Sequence, residues 1–125
     1  MAPYGVMLLR LILGIVYIMH AYLALVKFGP AGMIAYQAKA GILFPEIATW
    51  YLILAHGLGG IFLVLGIFTR WAALANVPAM LGAIVFVHGN KGFWVTDGGY
   101  EYVLVLLVAS VALALTGGGA LSLRR

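Results

Sequence analysis

The chain contains no cysteine. That absence excludes disulfides, thiol exchange, thiolate nucleophiles and cysteine-ligated iron–sulfur clusters together. Acid is almost as scarce, with three Asp and Glu against seven Lys and Arg in 125 residues. The resulting charge of +4 is scattered singly rather than gathered in a patch, so nucleic acid is not an expected partner. Such residues instead set topology and meet lipid headgroups. A phosphate-binding glycine loop, a Ser/His/Asp order and an inverted repeat are also missing, which disfavours soluble-type hydrolases and repeat-built transporters.

Apolar side chains are abundant. They make up 66% of the residues, more than a small globule can hide from water. A spanning helix needs about 20 largely apolar residues, and four such runs occur at about residues 4–26, 48–69, 71–87 and 100–116. The runs are continuous rather than alternating, which argues against a barrel. The first run has no basic stretch ahead of it, contains Arg10 and is followed by no small-x-small site, so a retained span is expected rather than a cleaved signal. The expectation is a single domain over residues 1–125: an all-α integral membrane four-helix bundle in the bilayer.

Between the first two runs, "FGPAG" (residues 28–32) breaks the helix. The following "MIAYQAKAGILFPE" is too short and polar to span, and is expected to form an interfacial or re-entrant helical segment with Met33, Ile34 and Ile42 facing lipid or protein. Thr69, Arg70 and Trp71 leave room only for a tight hairpin between runs two and three. Trp94, Tyr100 and Tyr102 suit a headgroup belt. The N-terminus, Arg70 and Arg124–Arg125 share one side, with Arg10 nearest it. Lys27, Lys39 and Lys91 share the other with Glu46, Asp97 and Glu101. The positive-inside rule then favours both termini in the cytoplasm.

Ala55, Gly59 and Gly66 are read as a packing seam, because small residues let helices approach closely in lipid. Asn76 and Pro78 predict a local kink whose freed carbonyl is served by a neighbour. Arg10 is read as snorkelling its stem toward the inner headgroups.

The polar residues gather at one depth. At about 1.5 Å of rise per residue, His20 lies roughly 9 Å and His56 roughly 12 Å below the outer ends of their helices. His88, Lys27 and Glu101 lie near the same surface. Ionisable groups inside a membrane usually face the bundle interior or a water-filled cavity, so these five are candidate ligand-binding or proton-relay residues around an outward-opening pocket. The plainer alternative gives each histidine one interhelical hydrogen bond, leaves His88 solvated, and pairs Glu101 with Lys27, Lys91 or a histidine. No HxxxH or ExxH pair supports a metal site, so none is expected. Nothing beyond two histidines suggests haem. A quinone head group needs one or two hydrogen-bond partners, an apolar slot and a proton route, and the His/Glu/Tyr set supplies these.

The segments "LRLILGIVYIMHAYLAL" (residues 9–25), "GGIFLVLGIFTRWAAL" (59–74), "VHGNKGFW" (87–94) and "GGYEYVLVLLVASVALALTGGGALSL" (98–123) resemble, in order, the pattern of the DoxX family. The resemblance implies a four-helix bundle in a bacterial or archaeal plasma membrane, tied to oxidoreductases. Members of the family resemble the small membrane subunit of a thiosulfate:quinone oxidoreductase, and others accompany complexes that handle oxidative or thiol stress. Arg10, Gly14, His20, Gly60, Gly66, Arg70, Gly99 and Glu101 stand where the family has those types. Two positions depart from it: His56 replaces a common glutamate, and "HAYLA" replaces HGxxK, leaving lysine only at Lys27. The implied role is a membrane subunit docked to other subunits of an electron-transfer assembly. The alternative is an accessory bundle without chemistry of its own.

Overall fold

Three of the four prolines fall within the first two positions of a helix, where the missing N–H is no loss. A computed structural model describes residues 1–123; Arg124 and Arg125, which entered the orientation expectation, lie outside the described residues. Helix α1 (Ala2–Tyr22) continues into a π turn at Leu23–Lys27. Then come α2 (Gly29–Lys39), α3 (Pro45–Leu65) and α4 (Thr69–Gly82). The last of these runs on through a π segment, Ala83–His88, and a 3-10 turn, Gly89–Lys91. A second 3-10 turn, Val95–Asp97, leads to α5 (Glu101–Thr116). The described residues are all-α, without a strand.

Three helical stretches, Ala2–Lys27, Pro45–Leu65 and Thr69–Lys91, are long and apolar enough to cross a membrane. α5 is equally apolar but has 16 residues. The outward faces carry exposed Ile12, Ile15, Leu54, Leu58, Val105 and Val108, as hydrocarbon contact requires, while Leu13, Tyr17, Leu63, Ala73, Leu106 and Leu113 fill the core. α3 packs between α1 and α4, and α5 lies against α4 and α1. α1 and α3 come into close contact at Gly14 and Gly60. A Cβ on either would stand 2.8 Å from the other's carbonyl oxygen, so only glycine lets the two helices meet backbone to backbone.

In lipid no water can serve an open carbonyl, and the last four of every helix lack an internal partner. At the C-terminus of α3 all four are accounted for. Phe62 accepts from the N–H groups of Gly66 and Ile67 at 2.8 and 2.9 Å. Leu63 and Val64 accept from Arg10 Nη1, both at 2.8 Å. Leu65 accepts from the N–H of Leu123 at 3.3 Å. Arg10 also donates through Nε to Gly118 (2.9 Å) and through Nη2 to Ala120 (3.0 Å). Its guanidinium therefore ties α1 to the end of α3 and to the irregular segment after α5. Arg10 does not snorkel: it is 1% exposed. A rigid fork of N–H donors suits this task, and the partial negative charge of a helix C-terminus favours the cation.

The segment after α5 folds back on the start of the chain, with the Ala120 N–H donating to Pro3 at 2.9 Å. Both ends of the described chain thus lie at one end of the bundle. The hairpin turn falls at 66–68 rather than 69–71, because Gly66 (φ +75°) caps α3 in the left-handed region and Thr69 already begins α4.

Replacing Arg10 by Ala strips donors from four carbonyls and is expected to remove at least about 2 kcal/mol of stability. Arg10→Lys restores only a small part of it, since an ammonium cannot serve four separated acceptors. Thermal unfolding of the two purified variants in detergent checks this; full recovery with Lys would contradict it.

Candidate functional site

The end of the bundle opposite Arg10 is open. A cavity of about 1110 Å³ lies among the end of α1 and its π turn, α2, the first turns of α3, the second half of α4 with its π segment, and the start of α5. Both π segments contribute to its wall, through Leu23 and Ala24 on one side and Ala83, Phe86, Val87 and His88 on the other. The wider register is visible in the N–H of Phe28, which reaches back five residues to Leu23 at 2.9 Å. Such bulges are frequent at functional sites. α2 does not span. It closes one side with Met33, Tyr36 and Gln37.

His20, His56 and His88 all line this cavity. His56 is 3% exposed, and its imidazole lies flat against Tyr17 with ring centroids 4.7 Å apart and an 18° interplanar angle. The Tyr17 hydroxyl shares a hydrogen bond with Ser110 on α5 at 2.5 Å. His56 Nδ1 meets Asn76 Oδ1 at 2.5 Å. The orientation of that amide is not arbitrary, because Asn76 Nδ2 donates to the carbonyls of Ala55 (2.9 Å) and Ala72 (3.0 Å), which can only accept. Oδ1 is therefore the acceptor, His56 Nδ1 carries the proton, and Nε2 of the neutral ring is a bare lone pair. Gly59 provides the seat for this amide: a Cβ there would stand 2.9 Å from Asn76 Nδ2.

His88 is arranged alike. Its Nδ1 donates to the Gly98 carbonyl at 2.7 Å, leaving Nε2 as acceptor. His20 makes ring contacts instead, edge-on to His56 at 6.4 Å and tilted to Tyr102 at 6.1 Å. Gln37, 5% exposed, accepts from the Thr49 hydroxyl at 3.2 Å. Among the described residues no Lys, Arg, Asp or Glu lines the cavity, so its polar chemistry is that of neutral donors and acceptors.

The remaining candidates lie elsewhere. Glu101 Oε1 accepts from the Val95 N–H at 3.0 Å and pins the turn that enters α5. Neither Glu101 nor the exposed Lys27 belongs to the cavity lining. The carboxylate of Glu101 thus meets backbone, not the lysine or histidine partner expected for it. Among the described residues no group of three His, Asp or Glu could hold a metal ion. Of the seam residues, Ala55 and Gly59 lie against Asn76 on α4, whereas Gly66 is the cap of α3. The Tyr51 hydroxyl donates to the carbonyl of Ala75, next to Leu74, whose carbonyl is the one that Pro78 frees. Sequence reading missed the pairing of Asn76 with His56, the Tyr17–Ser110 bond and Gln37. The signal for the first was an amide in an apolar run, which needs partners wherever it points.

The DoxX family model matches residues 5–89. A Bacillus subtilis protein named "Putative oxidoreductase CatD" is 32% identical over 120 residues, covering 95% of this chain and 84% of that protein. A Haemophilus influenzae protein described only as "Uncharacterized protein" is 32% identical over 82 residues, covering 65% of this chain and 54% of its own length. No solved structure matches.

Asn76 makes three hydrogen bonds and His56 one. Asn76→Leu is thus expected to lose about 2–3 kcal/mol of stability, more than the about 1–2 kcal/mol lost in His56→Leu. Melting curves of both variants in the same detergent decide it, and the reverse order would show that the amide does not organise the site.

Proposed function

Because the chain belongs to the DoxX family, we propose that it is an integral membrane subunit of a larger oxidoreductase or electron-transfer assembly, and that its cavity holds a quinone-type head group. The observation that carries this reading is the placement of three histidines in one largely apolar, uncharged cavity. Small-molecule sites are concave, mostly apolar and fixed by a few convergent polar groups, and this one fits an uncharged aromatic head with an apolar tail. The B. subtilis relative's name points the same way.

A quinone-type group would supply two-electron, two-proton chemistry. The chain's own part is to bind, orient and shelter it: His56 at the floor, held by Asn76 and backed by Tyr17, with the half-buried His20 and His88 as proton carriers between floor and mouth. Electrons would enter or leave through another subunit, since this chain has no cysteine to ligate an iron–sulfur cluster. In the proposed orientation four passes of the plasma membrane place both termini in the cytoplasm and the cavity at the outer face. The shared end of the described termini supports an even number of passes.

The second reading, an accessory bundle without chemistry, is favoured by one observation: His56 Nδ1 bridges α3 to α4 through Asn76, which is interhelical glue.

Purification of the tagged protein from its native membrane in mild detergent is expected to recover redox subunits in fixed proportion. Within that assembly His56→Leu should lower quinone-linked turnover at least about tenfold while the subunit still accumulates. Unchanged turnover in an intact assembly would favour the accessory bundle, and recovery of the chain alone would remove the subunit reading.

A further inference from the structure

Resting on the reading of the cavity as a quinone-type site, we infer that it selects the reduced form: a head group bearing hydroxyls, in preference to the carbonyl form of the same molecule. The selectivity follows from which histidine nitrogen carries the proton. His56 Nδ1–H is committed to Asn76 Oδ1, and that oxygen is committed to accepting because the amide nitrogen donates to two helix carbonyls. His88 Nδ1–H is committed to the Gly98 carbonyl, which can only accept. No acidic side chain lines the cavity to pair with an imidazolium, and an unpaired charge on the buried His56 would be costly, so its neutral ring is the form presented to a ligand. Each of these histidines therefore offers an acceptor lone pair at Nε2.

For His56 that lone pair is left for a ligand. The ring belongs to the lining, and among the described residues Nε2 has no hydrogen-bond partner. Among the described residues the sealed side-chain polar atom without a partner is Thr69 Oγ1, not a histidine nitrogen. A hydroxyl satisfies the lone pair by donating to it. A quinone carbonyl, which only accepts, sets one lone pair against another and leaves His56 Nε2 unpaired.

The other polar groups of the lining do not cancel this preference. Tyr36, Tyr102, Gln37 and His20 can donate to either form, because a hydroxyl oxygen accepts a hydrogen bond as a carbonyl oxygen does. They hold both forms; His56 separates them. A site built to accept from a hydroxyl rejects the analogue that lacks it strongly, since the buried acceptor is then left without a partner.

The test uses the full-length protein in detergent under nitrogen, titrated calorimetrically with a decyl-tailed benzoquinone and, separately, with the hydroquinone made from it. The hydroquinone is expected to bind at least about tenfold more tightly, and His56→Phe, which keeps a ring against Tyr17, to erase the difference. Equal affinities, or tighter binding of the quinone, would overturn the selectivity and leave the quinone-type site standing. Failure of both forms to bind would overturn the site and the selectivity together. If His56→Phe does not fold, the 15N spectrum of labelled histidine in the unaltered protein answers the same question. His56 and His88 should then appear as Nδ1–H tautomers with bare Nε2, and a protonated Nε2 on His56 overturns the selectivity.

Discussion

The guanidinium of Arg10 is the contact on which the rest of the bundle depends. A polypeptide in hydrocarbon must satisfy every backbone carbonyl from within, and this chain ends a central helix at Gly66 and then returns an irregular, glycine-rich segment to the same place. Both features expose carbonyls. One side chain serves four of them, with donors at 2.8 to 3.0 Å. The four acceptors are all backbone oxygens, so the arrangement is a cation seated on helix-end and loop dipoles rather than a salt bridge. It fixes α1, α3 and the segment after α5 at one end.

Fixing one end leaves the other free to open. Gly14 and Gly60 bring α1 and α3 into backbone contact near the Arg10 end, and Asn76 bridges α3 and α4 farther along. Beyond these the helices part, and α1 and α4 each change from α to π register where they border the cavity. The buried histidine stands at the boundary between the two regimes. Its Nδ1 belongs to the packing while its ring borders the cavity, so the structural and chemical readings of His56 meet in one ring.

Much of this was legible in the sequence, and the exceptions share a cause. Hydropathy placed the long apolar runs, and Gly and Pro marked "FGPAG" as a break, because those signals depend on composition along the chain. Rise per residue, fixed by helix geometry, put His20 and His56 at comparable depths with His88 nearby. What could not be read was rotation about each helix axis and the path of the irregular ends. Asn76 showed as a kink and not as the partner of His56, because which face meets α3 is decided by packing. Arg10 looked like a snorkelling residue because nothing in "TGGGALSL" announces that the segment folds back to Pro3. Glu101 lies near the level of the histidines but is engaged with Val95, outside their cavity. The resemblance to DoxX proteins flagged Gly14, Gly60 and Gly66 without distinguishing a crossing from a cap.

If the histidine cavity, and not the apolar surface, takes the redox head group, then a reactive quinone should mark its walls. The decisive measurement is photolabelling of native membranes with an azido-benzoquinone, followed by mass spectrometric mapping of the labelled residues. Label is expected on cavity residues of α1 and α3 such as Tyr17, Ile47 and Leu52, and excess unlabelled quinone should displace it. A second groove of about 570 Å³ between α3 and α4 is lined by Leu54, Leu58, Phe62 and Trp71 and has no histidine. Label confined to that groove, or label that unmodified quinone does not displace, would contradict a head-group site among the histidines.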